Sequence, residues 1–385
     1  MPAEPIKILH VVFSLDPGGM ENGLVNVAGA LPPEKFQVHV CCLERAGAFV
    51  SRLPDPRNVH VLNKRNGFSL RTVFDLARLI RQLKPHVIHS HNLGPLIYSS
   101  LATGLGRWKP ILHGEHGSLQ PDQLVPRRLR ERRFFYRTCN CIHTVSHDLT
   151  KQLHEMGFQT SRLVTVVNGV DTGRFVPVSR ADARKKIGLP ENAQVIGIVG
   201  RFAALKRHED LMEAFEAMAK KFTNAHLLVV GGGGPDEEKI LARLNRSAAK
   251  DRIRVTGFQN DPRPFYQAMD LLVAPSLYEG MSNAVLEAMA CGVPALAHLV
   301  CGNSEMISSG VHGIVSDLSS IEKLRVELEK ALAEPGKLAG MGQKARDKVV
   351  AHFSLPGMAA SYGKLYSELL KPVYRDEALR RRDGN

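Results

Sequence analysis

The chain has 385 residues, 44% of them hydrophobic and 23% charged, which is the composition of an ordinary globular protein. The length allows two large domains or three small ones, each able to bury a core. This apolar content excludes a chain that is disordered throughout. A membrane-spanning helix is excluded too, because the longest fully apolar stretch, residues 288–297, is far shorter than the roughly 20 residues required.

Lysine and arginine outnumber aspartate and glutamate by 51 to 38, so the net charge of +13 favours anionic partners. Nucleic acid, phosphorylated metabolites and anionic lipid all meet that condition. The six cysteines include no C-x-x-C pair and form no disulfide framework, which predicts a reducing compartment and a cytoplasmic protein. Residues 6–13 are apolar but few and include His10, so they predict a buried first strand and not a signal peptide.

Short apolar runs alternate with amphipathic stretches along the chain, which predicts parallel sheets with helices on both faces. The first series of predicted strands is residues 6–13, 38–43, 59–62, 87–90, 111–113 and 142–145. The second series is residues 195–199, 227–230, 253–256, 271–274 and 295–297. The predicted helices include residues 20–31, 70–83, 127–137 and 358–370. After residue 199, an apolar stripe on one face of a helix is formed by Leu211, Phe215, Met218 and Phe222.

The two series predict an α/β protein made of two doubly wound, Rossmann-like domains of similar size. We place these domains at residues 1–176 and 177–355, followed by a last helix and a basic tail at 356–385. Ligands bind at the carboxyl ends of the strands in such sheets. A ligand used by both domains would therefore lie in a cleft between them.

The strongest motif runs from Glu279 to Glu287, where a predicted strand leads into a predicted helix. Ser282 is the expected N-cap, and the amides that follow it would form an anion site at the helix N-terminus. Glu287 could accept hydrogen bonds from two neighbouring hydroxyls, as on a ribose. Either glutamate alone could be an ordinary surface residue, but the pair in this context favours a binding site.

The second motif is Gly200-Arg201 followed by Lys206, at the carboxyl end of a predicted strand. An arginine fork and a lysine charge suit two phosphates, and together they could neutralise a departing diphosphate. A solvated basic stretch is the alternative. A third motif, Gly18-Gly19 after the first strand, would let the backbone approach a ligand closely, or would form a simple tight turn.

Several familiar signatures are absent. No G-x-x-x-x-G-K-[ST], G-x-S-x-G or D-x-D occurs, so a P-loop, a nucleophile elbow and paired carboxylates for a metal-bound diphosphate are lacking.

Near the carboxyl edge of the first predicted sheet lie four histidines, His89, His91, His113 and His116. Their spacing matches no standard zinc pattern, so we expect no metal, one histidine facing the cleft and the others packed or capping.

Residues 127–137 contain six arginines and one acidic residue, and Pro126 suits the start of a helix. Such a helix would suit docking on anionic lipid, an anionic acceptor or nucleic acid. A solvated helix face with Phe134 and Phe135 in the core is the alternative. The arginines assigned to acceptor or membrane contact are Arg127, Arg128, Arg130, Arg132 and Arg133.

Together these motifs resemble the retaining glycosyltransferases of family four, which have the GT-B fold. The resemblance extends from Ile6 to about Leu370, and its most specific part is the E-x7-E spacing of Glu279 and Glu287. Residues 114–117 are similar to those of a bacterial exopolysaccharide-type subgroup. The implied fold has two Rossmann-like domains facing across a deep cleft, with the C-terminal helix packed back on the N-terminal domain.

The resemblance implies roles for individual residues. Arg201 and Lys206 would bind the donor diphosphate, Glu287 would hold the ribose and Glu279 the sugar hydroxyls, while His116 would lie beside the anomeric centre. The implied catalytic residues are His116, Glu279, Arg201 and Lys206. The implied donor-binding residues are Gly18, Gly19, Arg201, Lys206, Phe258, Glu279, Gly280, Met281, Ser282, Asn283, Ala284, Val285 and Glu287.

The implied activity is a metal-independent transfer of a sugar from a nucleotide-sugar, UDP-sugar before GDP-sugar, to a glycan or lipid-linked glycan. It would serve cell-envelope or exopolysaccharide synthesis at the inner face of the membrane, with no cofactor and no specific nucleic acid. Two alternatives stay open. A sugar-nucleotide 2-epimerase or hydrolase on this fold would convert the donor without acceptor, and a non-catalytic basic protein would bind lipid or nucleic acid but not respond to nucleotide-sugars.

Overall fold

The computed structural model describes residues 4–158 and 162–371. They divide into two compact units, which we call the N-terminal and C-terminal domains. The N-terminal domain comprises the described residues up to Asn168 together with those from Leu355 onward, and the C-terminal domain is Gly169–Ser354. This division lies upstream of the boundary that we placed after Val176. The predicted basic tail after residue 371 lies outside the described residues.

Seven parallel strands form the sheet of the N-terminal domain, in the order β3-β2-β1-β4-β5-β6-β7. The strands are β1 (Ile6–Val12), β2 (Phe36–Cys42), β3 (Val59–Val61), β4 (Val87–His91), β5 (Ile111–Glu115), β6 (Cys141–Thr144) and β7 (Leu163–Thr165). The helices of this part of the chain are α1 (Gly19–Ala30), α2 (Leu70–Leu83), α3 (Leu93–Ala102), α4 (Pro126–Tyr136) and α5 (His147–Glu155). The central strands are buried on both faces, which explains their nearly continuous apolar sequences.

Local capping explains where two of these helices begin. The Ser69 hydroxyl accepts a hydrogen bond from the Thr72 amide at the start of α2, and the Ser146 hydroxyl accepts one from the Leu149 amide at the start of α5. Helix α2 ends at Leu83, and its C-cap residue Lys84 adopts the left-handed conformation with φ of 50°.

Six parallel strands form the sheet of the C-terminal domain, in the order β10-β9-β8-β11-β12-β13. They are β8 (Gln194–Val199), β9 (Ala225–Val230), β10 (Ile253–Val255), β11 (Leu271–Ala274), β12 (Ala295–His298) and β13 (Gly313–Ser316). The helices are α6 (Arg180–Lys186), α7 (His208–Met218), α8 (Glu237–Asn245), α9 (Arg263–Ala268), α10 (Asn283–Ala290), α11 (Asn303–Met306), α12 (Ile321–Leu332) and α13 (Pro335–His352). The predicted apolar stripe of α7 packs into the core of this domain.

The last helix, α14 (Leu355–Leu369), belongs to the N-terminal domain, as predicted. Its Tyr366 and Leu369 are fully buried in one cluster with Ile8 of β1 and Val27 of α1. The α/β prediction of two doubly wound parallel domains is confirmed. No helix in the ranges 4–158 and 162–371 combines the length and the apolarity that crossing a bilayer requires.

Each sheet has one point where the strand order reverses, between β1 and β4 in the first and between β8 and β11 in the second. Loops that leave neighbouring strands in opposite directions open a crevice at such a point, which is where doubly wound sheets bind ligands. The predicted motifs follow these four strands or their neighbours.

Candidate active site

The loops after β8 and β9 meet at the carboxyl edge of the C-terminal sheet. A Cβ at Gly231 would lie 1.9 Å from the carbonyl oxygen of Gly200, so only glycine allows this approach. The Gly231 amide donates to the carbonyl of Gly257 at 3.1 Å, which brings the loop that carries the half-exposed Phe258 alongside. Arg201 follows Gly200 and is exposed at this edge, where a guanidinium can reach a bound anion.

Lys206 and Glu279 form an ion pair across the reversal point of the C-terminal sheet. Lys206 ends a single 3₁₀ turn after β8, and Glu279 lies in the loop after β11. The Lys206 Nζ is 2.5 Å from the Glu279 Oε1, with 28% and 13% of the two side chains exposed. The pair therefore presents both charges to solvent at one place, where a ligand with phosphate and hydroxyl groups would engage each of them.

Helix α10 begins beside this pair. Ser282 occupies the N-cap position as predicted, although its hydroxyl makes no capping hydrogen bond with the residues that the structure describes. Gly280 and Met281 are buried ahead of it. Because α10 starts at Asn283, the amides of its first turn point out of the helix toward the crevice and favour an anion there.

Glu287, in the second turn of α10, is oriented by a residue that sequence reasoning missed. The fully buried Tyr266 of α9 donates its hydroxyl to the Glu287 Oε2 at 2.8 Å. Burial, with Glu287 close by, holds the pKa of Tyr266 well above its usual range, so the phenol remains a donor. No sequence signal identified Tyr266, because only the packing of α9 against α10 brings it to Glu287.

The N-terminal domain has a small pocket at the reversal point of its own sheet. Gly18 is the N-cap of α1, and Gly19 lines the pocket together with His116. His116 follows β5 and is partly exposed. Burial lowers the pKa of His116 to about 4, so the ring is neutral at physiological pH.

The four predicted histidines do not come together as one group. His89 and His91 project to the same face of β4, and their ring centroids lie 4.1 Å apart. His113 points away and bonds to the Ser90 hydroxyl at 3.0 Å and to the Glu115 carboxylate at 3.0 Å. Within the described ranges, the grouping compatible with a metal ion is His10, His89 and His91. Five of the six ring nitrogens in that group are hydrogen-bonded to side chains, which makes it a hydrogen-bonded cluster.

Arg132 is a correction to the predicted basic face of α4. It is only 2% exposed and forms a buried ion pair with Glu115, to which the Tyr136 hydroxyl also donates at 2.6 Å. Burial alone would raise the pKa of Glu115, but the Arg132 guanidinium together with the hydrogen bonds from His113 and Tyr136 outweighs burial and lowers it to about 2. For Arg132 the prediction of acceptor or membrane contact is therefore wrong, because its partner lies inside the domain.

The other arginines of that prediction are exposed on α4. They are Arg127, Arg128, Arg130 and Arg133. Phe134 is half-exposed, whereas Phe135 packs partly against the core. One side of α4 thus anchors Glu115, and the other presents positive charge with one aromatic ring.

Two family models cover most of the chain. The model described as Glycosyltransferase Family 4 matches residues 17–174, and the model described as Glycosyl transferases group 1 matches residues 179–348. The chain belongs to the GT-B glycosyltransferases. The first match ends at residue 174 and the second begins at 179, both within about ten residues of the division after Asn168, so each model describes mainly one domain.

Named relatives agree with this family. The chain is 24% identical over 389 residues to the Escherichia coli UDP-Gal:alpha-D-GlcNAc-diphosphoundecaprenol alpha-1,3-galactosyltransferase, covering 95% of this chain and 97% of that protein. It is 33% identical over 213 residues to the D-inositol 3-phosphate glycosyltransferase of Segniliparus rotundus, covering 52% of this chain and 46% of that one. Anabaena HepE, solved in complex with UDP-glucose, superposes with a TM-score of 0.83 at 21% identity, covering 94% and 100%.

In this glycosyltransferase, cations and a helix N-terminus lie together at one end of the C-terminal sheet, and two carboxylates lie beside them. Cations and helix amides stabilise a developing phosphate charge, and carboxylates accept hydrogen bonds from hydroxyls. The arrangement therefore suits a ligand that carries both phosphates and sugar hydroxyls.

Proposed function

We propose that this glycosyltransferase moves a hexosyl group from a nucleotide-sugar, a UDP-sugar before a GDP-sugar, to a glycan or lipid-linked glycan with retention at the anomeric carbon. The reaction needs neither a metal nor a cofactor, because the chain's own cations neutralise the leaving diphosphate. The acceptor class places the enzyme in cell-envelope or exopolysaccharide synthesis, at the cytoplasmic face of a membrane.

The observation that carries this proposal is the Lys206–Glu279 pair beside Arg201 and the N-terminus of α10. Lys206 and Arg201 bind the diphosphate, while Glu279 accepts from the sugar hydroxyls. Glu287, held by Tyr266, accepts from the ribose hydroxyls. The half-exposed Phe258 borders the base.

The names of the relatives support the substrate classes. The E. coli relative is named for UDP-Gal as its donor and for a diphosphoundecaprenol-linked sugar as its acceptor. HepE has been solved with UDP-glucose. Extending both to this chain makes a UDP-sugar the first donor to test and a polyprenyl-diphosphate sugar the first acceptor.

In the proposed reaction the acceptor hydroxyl attacks the anomeric carbon on the face from which the diphosphate leaves. The bond between the acceptor oxygen and the anomeric carbon forms as the bond from that carbon to the phosphate oxygen breaks. The leaving oxygen takes the acceptor proton, so no side chain acts as nucleophile or base. His116 contacts the donor sugar, and Arg201 with Lys206 stabilises the charge that develops on the diphosphate.

The first experiment is a thermal unfolding screen with chelator present, against UDP, GDP, ADP and their common sugar conjugates. A ligand at about 100 times its dissociation constant adds about 2.7 kcal/mol to the domain that it binds. For a domain of this size that raises the midpoint by roughly 2–4 °C. We expect a shift with uridine nucleotides that Arg201→Ala weakens, because loss of one hydrogen-bonded contact to a charged group costs about 1.5–3 kcal/mol.

Three other outcomes would contradict the proposed function. A shift that requires a divalent metal would contradict metal independence. Conversion of the donor without any acceptor would indicate an epimerase or hydrolase. No response to any nucleotide, combined with salt-sensitive binding of nucleic acid or lipid, would indicate a non-catalytic basic protein.

A further inference from the structure

A cluster of buried histidines lies directly behind His116. Its members come from three strands of the same sheet: His10 from β1, His89 and His91 from β4, and His143 from β6. Each of the four is at most 3% exposed. Burying several imidazoles in one place costs free energy unless each ring is hydrogen-bonded, so their contacts call for an explanation.

Two of these rings, His10 and His91, form a hydrogen-bonded chain that ends at His116. The His10 Nδ1 lies 2.9 Å from the His91 Nε2, and the His91 Nδ1 lies 2.8 Å from the His116 Nε2. His91 thus uses both of its nitrogens inside the chain. His89 is held separately, by the Tyr366 hydroxyl at 2.8 Å and by the His143 Nε2 at 2.9 Å.

The hydrogen-bonded chain of His10, His91 and His116 permits only two arrangements of protons. Burial first, and the neighbouring histidines second, hold the pKa of His91 well below its usual value, so its ring is neutral, with one N–H and one acceptor nitrogen. Either every ring donates toward His116, or every ring donates toward His10. The first arrangement leaves the proton of His116 on Nδ1, and the second leaves it on Nε2.

The inner end of the chain decides between these arrangements. Within residues 4–158 and 162–371, the buried His10 Nε2 has no hydrogen-bond partner. Donation toward His10 would put an N–H at this position, and unpaired buried N–H groups are rarer than unpaired acceptors. Donation toward His116 leaves only a lone pair there. Donation toward His116 is therefore the less costly arrangement, so the His116 Nε2 accepts and its Nδ1 carries the proton.

The backbone of β5 beside these hydrogen-bonded histidines leaves the His116 ring almost no room to turn. A Cβ at Gly114 would lie 2.7 Å from the His116 Nε2 and 2.6 Å from the His143 Nε2. Only glycine at this position of β5 therefore allows both rings to occupy their places. The ring of His116 is fixed by this contact on one side and by its hydrogen bond to His91 on the other.

We propose that His91, backed by His10, is a positioning residue that holds the His116 ring in place with its proton on Nδ1, so that His116 offers an N–H donor to an oxygen of the sugar substrate. This inference rests on the proposed function, because it assumes that His116 contacts the donor sugar. It assigns to buried β1 and β4 residues a role in the reaction that their core positions do not suggest.

The test is a matched pair of substitutions that each remove one of the two hydrogen bonds of His91. The amide nitrogen of asparagine falls near the Nδ1 position of histidine, and the amide oxygen of glutamine can occupy the Nε2 position and accept from the His10 Nδ1–H. His91→Asn therefore keeps the donor to His116, and His91→Gln keeps only the hydrogen bond with His10. We expect kcat to stay within about threefold for His91→Asn and to fall about tenfold or more for His91→Gln, the effect of one lost buried hydrogen bond.

A second readout separates positioning from folding. Nitrogen-15 shifts of labelled histidines report which ring nitrogen is protonated. We expect His116, assigned by the loss of its signal in His116→Ala, to be protonated on Nδ1 in the wild type and in His91→Asn. In His91→Gln its tautomer should become mixed, while both variants keep the wild-type thermal midpoint within a few degrees.

Two results would overturn the inference: equal kcat for the two variants, whether both keep or both lose activity, or a wild-type His116 protonated on Nε2. The kinetic result is read in an active wild-type enzyme, and the tautomer is read in a folded one. Both results can therefore be told apart from failure of the proposed function. That failure would show as a wild type that transfers sugar from no nucleotide-sugar.

Discussion

Lys206 and Glu279 hold each other in position, so the two roles assigned to them are coupled. Lys206→Ala removes a cation from the diphosphate and also the ammonium that pairs with the Glu279 carboxylate. We expect about a 10- to 150-fold loss of kcat/KM, since a hydrogen bond to a charged group contributes about 1.5–3 kcal/mol. Because the two groups touch, the double variant Lys206→Ala/Glu279→Ala should lose less than the product of the single losses, by about twofold or more. Steady-state kinetics with a saturating acceptor would measure all three.

A second ion pair of the same domain provides the control. Lys239 and Glu209 pair on the surface, with 66% and 29% of their side chains exposed. Substituting either by alanine should leave kcat/KM unchanged, since exposed pairs contribute about 1 kcal/mol or less to stability and this one lies on α7 and α8. Independent, multiplicative losses at Lys206 and Glu279 would show that the pair does not persist in the enzyme that binds donor.

At the level of single residues, the sequence predicted which groups matter better than it predicted how they meet. Lys206 and Glu279 were assigned different parts of the donor, and only the neighbouring positions of β8 and β11 bring them to 2.5 Å. Arg132 shows the converse. In a run of six arginines nothing distinguishes it, and its burial depends on Glu115, which lies on another element.

Among the secondary structure elements, the long periodic ones were predicted well. The predicted helix 70–83 matches α2 residue for residue, because Ser69 caps its start and a change of backbone conformation at Lys84 ends it. Strands β7 and β13 were not predicted. They are three and four residues long and are largely half-buried at the edges of their sheets, so they carry no continuous apolar run.

Helix α4 combines a structural face with an exposed basic face, and this allows its membrane role to be tested without unfolding the domain. Arg127, Arg128 and Arg130 are exposed, whereas Arg132 must be left in place. We expect the enzyme to co-sediment with anionic vesicles at low salt and to be released as salt screens the contact over a Debye length of about 10 Å at 0.1 M. Reversing the three charges to glutamate should abolish most of the binding, since each basic residue near an anionic surface contributes about 1 kcal/mol.

The control for this experiment has the same change in net charge elsewhere. Lys330, Lys337 and Lys344 are exposed on α12 and α13 of the C-terminal domain. Reversing them should weaken sedimentation far less than reversing the α4 arginines, if binding depends on the location of the charge. Equal weakening by both sets would show that sedimentation depends only on the overall charge of +13, and it would contradict docking through α4. No sedimentation of the wild type at low salt would contradict membrane contact altogether.

For the molecule as a whole, the buried histidines make the stability of the N-terminal domain dependent on pH. Burial lowers the pKa of His10 to about 3 and holds those of His89, His91 and His143 well below 6.5. Between these folded values and the unfolded value of about 6.5, the unfolded chain binds more protons than the native one. The free energy of unfolding therefore falls as the pH drops below about 6.5. The stabilisation that the neutral histidines contribute is complete above that pH. From pH 7 to 5.5 each such histidine should reduce it by about 1 kcal/mol.

The single tryptophan of the chain makes this measurable in one domain. Trp108 lies in the N-terminal domain, together with the four histidines, so its fluorescence during denaturant unfolding follows that domain. We expect the unfolding midpoint to be clearly lower at pH 5.5 than at pH 7. His143→Gln places an uncharged amide near the position of the His143 Nε2, which is hydrogen-bonded to His89. The variant should therefore lose the part of the pH dependence that one histidine contributes. The matched His147→Gln, at an exposed position of the same domain, should leave the dependence as it is. Equal slopes in all three proteins would show that the histidine cluster does not stay neutral in the folded domain.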